Sequence, residues 1–408
     1  MSSPASPTPT VASLKVEPFR GGSQWMMGGG VVGLLFVLIT AIVALATNSK
    51  DAFYSYLVAF TYWAGIGFAA IILLMCFHAT HARWITILRR PLEAMAATMV
   101  VFVVLIVPIW LGMKQLYSWV DPVAAGFTGE ALARVKHKGA WLTVNFFIVR
   151  SVVYILLAAF LGWRLFGWSL RQDREGGTDL LAKSRRFSSG GLPFIALAIT
   201  FAAFDWIMSL NPTWFSTIFG VYYFGGSFLA ALSILAIVTW QANLKNVFGG
   251  GMNVEHTHSI GKLMLAFTCF WTYIAFSQLL LIWIAGLPEE IPFYITRFRE
   301  GWRGVGIALI LFHFFVPFGA LLSRSLKRTP KKLAIVGIWI LCIHYVDIYW
   351  LVMPTLYPEG VSFHWTQPVA FLGVGLVAVA FAISRLRGRS PVPMRDPYLA
   401  ESLRYRQP

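Results

Sequence analysis

The sequence predicts an all-α integral membrane protein with ten transmembrane helices. Three observations lead there. Hydrophobic residues make up 58% of the chain and charged residues 12%, against about 45–50% and about 25% in soluble domains. Ten apolar runs follow one another with short connections, each near the roughly 20 residues that a spanning helix needs. The density of Lys and Arg also alternates from one connection to the next, which is a topology signal. The same patterning bounds function. The net charge of +16 sits in connections and in the C-terminal tail, which argues against a nucleic-acid partner. There is no G-x-x-x-x-G-K-[ST] and no strand-anchored G-x-G-x-x-G, so ATP hydrolysis is not expected.

Taken in order, residues 1–27 are rich in Ser, Pro and Thr, with Lys15 and Arg20 as the only cations. They are expected to be a disordered cytoplasmic N-terminus and lack the basic n-region of a signal peptide. The membrane domain covers 28–385, with spans near 28–47, 53–77, 91–112, 139–163, 191–210, 213–240, 259–286, 303–323, 331–353 and 366–385. The longest connections, 113–138 and 164–190, have room only for a short helix or hairpin. Residues 386–408 form a basic cytoplasmic tail. Cys76, Cys269 and Cys342 all lie in apolar runs, without a C-x-x-C or C-x-x-C-H pattern. Iron–sulfur, structural zinc and covalent haem are therefore unsupported, and the thiols read as small hydrophobes.

Ten spans place both termini on one side. The connections on that side hold 24 Lys and Arg, those on the other hold 8, and Arg150 is intramembrane. The split puts the termini in the cytoplasm, in a bacterium beneath the inner membrane. Asn211-Pro212 is then an external turn, and Asp205 lies about 7–8 Å below the outer end of the fifth helix.

A carboxylate at that depth costs roughly 2.5–3.5 kcal/mol on insertion scales unless it is compensated. The ionisable residues form levels. His78, His81 and Glu93 lie at the inner edge, and Arg150, His313 and His344 near the middle. Asp205 and Asp347 lie in the outer half, and Asp121 and His364 at the outer surface. Each has a plainer reading beside a functional one. His78 and His81 also fit an ordinary inside loop. Glu93 follows Pro91 in a first helical turn, where an acid suits the dipole and can pair with a nearby Arg. Tyr222 and Tyr223 read as packing residues. Arg150, mid-span, needs a carboxylate partner, for which Asp205 and Asp347 are the candidates. His344 and Asp347, three apart on one helix face, can pass a proton or form a satisfied buried pair. His313 and His344 share a depth, as bis-histidine haem ligation would require, a lesser reading for a single such pair.

Residues Phe201–Phe224 resemble the ActF family, membrane subunits of bacterial alternative complex III, the quinol:cytochrome c oxidoreductase. More broadly, the chain is similar to the NrfD / polysulfide-reductase membrane subunits. The likeness extends to His81-Ala-Arg-Trp84 with Arg89, Arg90 and Glu93, and to Ala275–Trp283 running into Leu287–Pro292 and Arg297. It continues in His313–Phe318 with Ser323-Arg324, and in His344–Trp350 with Met353-Pro354. The resemblance implies two four-helix bundles, helices 2–5 and 6–9, with helices 1 and 10 peripheral. It implies no haem and no iron–sulfur cluster in this chain, and no metal site is expected. Menaquinone or ubiquinone would be the substrate of a larger complex, with haem c and iron–sulfur clusters in partner subunits. Those partners would be a paralogous NrfD-like quinol-binding membrane subunit, an iron–sulfur subunit, multihaem and monohaem cytochrome c subunits, and other small membrane subunits.

Two tasks for the chain fit the polar levels. His78, His81, Glu93, Arg150, Asp205, His313, His344 and Asp347 would form a proton pathway through a scaffold subunit. Alternatively, Asp121, Asp205, Trp206, Trp214, Asp347 and Tyr349 would line a quinone site, where an acid accepts the quinol proton. The rival classes are the membrane anchor of a molybdenum- or haem-dependent reductase, and a secondary transporter, which often shows inverted repeats. No clear repeated motif relates the two halves.

Overall fold

The computed structural model describes residues 10–407. It holds ten helices long and apolar enough to cross a membrane, and the chain is a multi-pass membrane protein. They are α1 (Trp25–Ala46), α2 (Lys50–Ala79), α3 (Arg83–Leu111), α4 (Val144–Glu175), α5 (Asp179–Leu210), α6 (Phe219–Leu244), α7 (Val254–Ala285), α8 (Gly301–Leu322), α9 (Pro330–Thr355) and α10 (Thr366–Leu386). No β-strand occurs among the described residues.

The hub is α2. It is hydrophobic all round and buried along nearly its whole length, as a helix surrounded by others must be. It packs against α1, α3, α5, α6, α9 and α10. Around it, α3 packs on α4 and α4 on α5, while α6 packs on α7 and α9, α7 on α8, and α8 on α9. The outermost helix, α1, buries only the stripe Gly33, Val37, Thr40 and Ala44, which meets α10. Small residues let the two backbones approach closely; a Cβ on Gly33 would lie 3.0 Å from the Gly373 carbonyl oxygen.

The expected spans are displaced in two places. Helix α4 runs 32 residues, about 48 Å at 1.5 Å per residue, well beyond a hydrocarbon core of about 30 Å. Much of the connection expected at 164–190 is helix instead. The two helices project as a hairpin and reverse at Gly176 and Gly177, whose φ values of 70° and 74° disfavour a side chain. Cations within this hairpin gave no composition signal separating loop from helix. The external turn is also longer than expected: α6 begins at Phe219, leaving residues 211–218 irregular. Lys138 donates to the carbonyls of Pro212 at 2.7 Å and Trp214 at 3.2 Å, which fixes that loop.

The termini share one end of the molecule. The Phe19 amide donates to the Arg389 carbonyl at 2.9 Å and the Gly388 amide to the Phe19 carbonyl at 2.9 Å. The segment 10–24, expected to be disordered, is therefore tied to the tail at Phe19; residues 1–9 lie outside the described residues. The tail is docked as well. Val392, Leu399 and Leu403 are buried, Arg83 pairs with Glu401, and the Ser402 hydroxyl donates to the Trp84 carbonyl. These apolar residues are too sparse to show as periodicity, and only docking beneath the helices buries them.

Candidate functional site

The ionisable residues that the sequence arranges as one column are distributed by the fold into three separate clusters. No hydrogen bond or ion pair among the described residues joins one cluster to another.

The first lies at the end carrying the termini. Arg89 pairs with Glu93 at 3.0 Å and Asp396 at 2.6 Å, and Arg90 with Asp173 at 2.6 Å and Glu93 at 3.4 Å. It ties α3 to α4 and the tail. Glu93 is fully buried within it, an ion pair rather than a free acid. His78 and His81 lie beside this network, lining a cavity of about 520 Å³. His81 is exposed and has φ 53°, in the left-handed region.

The second cluster joins α4 to α5. Arg150 grips Asp205 with two bonds of 2.8 Å, from Nε to Oδ2 and from Nη2 to Oδ1. Tyr154 donates to Oδ2 at 2.9 Å and Trp141 Nε1 to Oδ1 at 3.0 Å. The remaining guanidinium nitrogen Nη1 donates to the Trp141 carbonyl at 2.9 Å. Of the two expected partners, Asp205 is the one that Arg150 meets. Its depth differs from expectation, because α4 begins at Val144. Arg150 is therefore about 9 Å from that helix end, not at mid-span. Four donors fill the carboxylate, leaving little capacity to receive a proton in transit. A bidentate, fully bonded buried pair is a fastener.

The third cluster draws one side chain or more from each of α6, α7, α8 and α9. Asp347 accepts from the Tyr222 hydroxyl at 2.5 Å and from Trp271 Nε1 at 3.2 Å. His344, on the same face of α9, has Nδ1 at 3.6 Å from Asp347 Oδ2, too long for a hydrogen bond. His313 packs on Trp271 with ring centroids 3.9 Å apart. All four imidazole nitrogens of His313 and His344 are buried without a partner, as is the Ser227 hydroxyl. Local backbone makes the arrangement possible. His313 lies in a π-turn, Ile310–Phe315, a feature frequent at functional sites. Gly226 leaves room for His344, since a Cβ there would lie 2.8 Å from His344 Cε1.

Sequence reasoning placed Tyr222 among packing residues, and the structure corrects this, because its hydroxyl holds Asp347. Tyr223 donates instead to the Thr61 carbonyl. Trp271, Tyr154, Asp173 and Asp396 were not singled out. The Gly225-Gly226 pair inside a span was the available signal for a close approach.

The residues expected to line a quinone site are scattered. Asp121 is exposed and accepts from the Ala124 amide. Trp206 is buried and donates to Ser151. Tyr349 donates to the Ser362 carbonyl. Asp205 and Asp347 belong to different clusters. Of the six, Trp214 alone lines the cavity of about 220 Å³ at the end opposite the termini, stacked on Phe293 at 3.9 Å. Arg297 also borders that cavity, a buried cation that donates to the Trp350, Leu351 and Phe293 carbonyls and caps the end of α9. No metal-holding group of three or more His, Cys, Asp or Glu occurs among the described residues.

No protein-family model matches the chain, and no curated protein matches it.

Proposed function

We propose that the chain is a membrane-embedded subunit of a quinol-oxidising electron-transfer complex of the alternative complex III type, within the NrfD-like class. In it the cluster of α6–α9 receives and relays protons. One observation carries the relay: two buried imidazoles stand beside Asp347, which is itself held by Tyr222, while the assignment to a quinol-oxidising complex rests on the resemblance of Phe201–Phe224. Imidazole is the side chain suited to accepting and returning a proton near neutral pH. Neighbouring aromatics continue from this cluster toward the cavity lined by Arg297: Tyr222 stacks on Phe219 at 6.3 Å, and Phe219 meets Trp214 at 5.6 Å.

The circular neighbour pattern of α2–α5 and again of α6–α9, with α1 and α10 outside, supports the NrfD-like bundle layout. Within the first group, Arg150–Asp205 acts as scaffold. Helix α4 separates that pair from the charged network at its other end by about 28 Å, counting 19 residues from Arg150 to Ser169. The relay is therefore confined to the second group, running from His313 and His344 near the middle of the membrane to Asp347 on the periplasmic side. Quinol oxidation itself belongs to a partner membrane subunit, and electrons leave through iron–sulfur and cytochrome c partners.

The test has two parts. Purification of the tagged chain from native membranes should recover c-type cytochromes and an iron–sulfur protein; recovery of the chain alone would overturn the assignment. In the reconstituted complex, Asp347→Asn should assemble but lower proton translocation per electron, whereas an unchanged ratio would remove the relay.

A further inference from the structure

We propose that the cavity of about 520 Å³ at the end carrying the termini binds a phosphate-bearing anion, held chiefly by Arg185 and Arg186 of α5 with Arg83 beside them. The cavity is lined by four arginines and two histidines, and no carboxylate lines it. Its cations are not equally free. Arg89 is spent on Glu93 and Asp396, and Arg83 is half exposed and shares Glu401. Arg185 and Arg186 are exposed and enter no ion pair among the described residues.

Two adjacent uncompensated guanidinium groups facing one concavity repel each other, and an anion between them removes that cost. The forked donors of Arg match a phosphate. Thr178 and Ser189 add hydroxyl donors on the same wall. Thr178 precedes the first turn of α5, whose amide end adds positive potential. His81 senses the same field: slight desolvation, and then the neighbouring Arg185 and Arg83, push its pKa down.

The projecting hairpin explains why the site exists. Because α5 starts outside the hydrocarbon layer, its arginines stand level with the α2–α3 turn, and the gap between them is the cavity. One wall is apolar, with Phe77 and Leu181. Basic pockets between membrane helices on the cytoplasmic side suit anionic headgroups. The phosphate can thus come from an anionic phospholipid or be free phosphate.

The experiment uses the full chain purified in dodecyl maltoside, delipidated, and observed by native mass spectrometry. Dioleoyl phosphatidylglycerol is compared with dioleoyl phosphatidylcholine, and inorganic phosphate with chloride at matched ionic strength. Wild type should retain one phosphatidylglycerol, with affinity falling about 30-fold in the Arg185→Gln/Arg186→Gln variant. Lys331→Gln/Lys332→Gln, an equal charge loss at exposed residues of the same end, should leave binding unchanged. Stabilisation by inorganic phosphate that the arginine variant abolishes, without lipid preference, identifies free phosphate as the source. The site is refuted if neither probe is preferred over its control, or if the lysine variant loses as much as the arginine variant.

Discussion

His313 and His344 face each other across α8 and α9, with ring centroids 6.0 Å apart and no hydrogen bond on either ring. Buried polar nitrogens left unpaired each cost about 1–3 kcal/mol. Four such nitrogens in one cluster, beside an acid, are the feature on which the proposed relay rests.

Within that cluster, Tyr222→Phe should remove one of the two bonds holding Asp347 and lower stability by about 1–3 kcal/mol. Asp347→Asn keeps an acceptor for Tyr222 and should cost less. Unfolding of the two variants in detergent checks the order; a larger loss for Asp347→Asn would show that the charge is structural.

Arg150→Gln or Asp205→Asn should each cost about 3–5 kcal/mol, because either leaves a buried charge uncompensated. The double variant Arg150→Met/Asp205→Leu should recover most of the loss. Additive losses in the double variant would contradict the fastener reading.

Gly226→Ala places a methyl group 2.8 Å from His344 Cε1 and should destabilise by about 1–3 kcal/mol through overpacking. Gly190→Ala, where nothing lies within 4 Å, should be neutral or slightly stabilising, since Ala is the better helix former. Equal midpoints for the two would show that His344 is not confined by α6.

Cysteines introduced at Val123 and Asp179, both exposed, in a background lacking the three native cysteines, should react with an impermeant maleimide from opposite sides of the membrane. In intact cells Val123 should label and Asp179 only after permeabilisation. Spin labels through 164–190 should vary in mobility with a period near 3.6 residues, interrupted at Gly176-Gly177; a flat profile would mean that the hairpin is not helical.

Ten spans, and the residues worth attention within them, could be read from the chain alone. Lipid tolerates few backbone solutions and few charges, so apolar run length and rare ionisable residues carry the signal. That Arg150 needed an acid followed from electrostatics. What tertiary structure decided is which acid, and at what depth. Helices α4 and α5 extend into water, where polar residues continue a helix without any change of composition, and at its other end α4 begins only at Val144, which leaves Arg150 near that helix end. Partnership between segments far apart in sequence was equally closed to local reasoning. The meeting of Tyr222, Trp271, His313 and Asp347 depends on which faces of four helices pack together, and apolar sequences in lipid encode those faces through shape rather than polarity. One expected column of charge is instead a fastener, a charged seam with a basic cavity beside it, and one buried cluster of His313, His344 and Asp347.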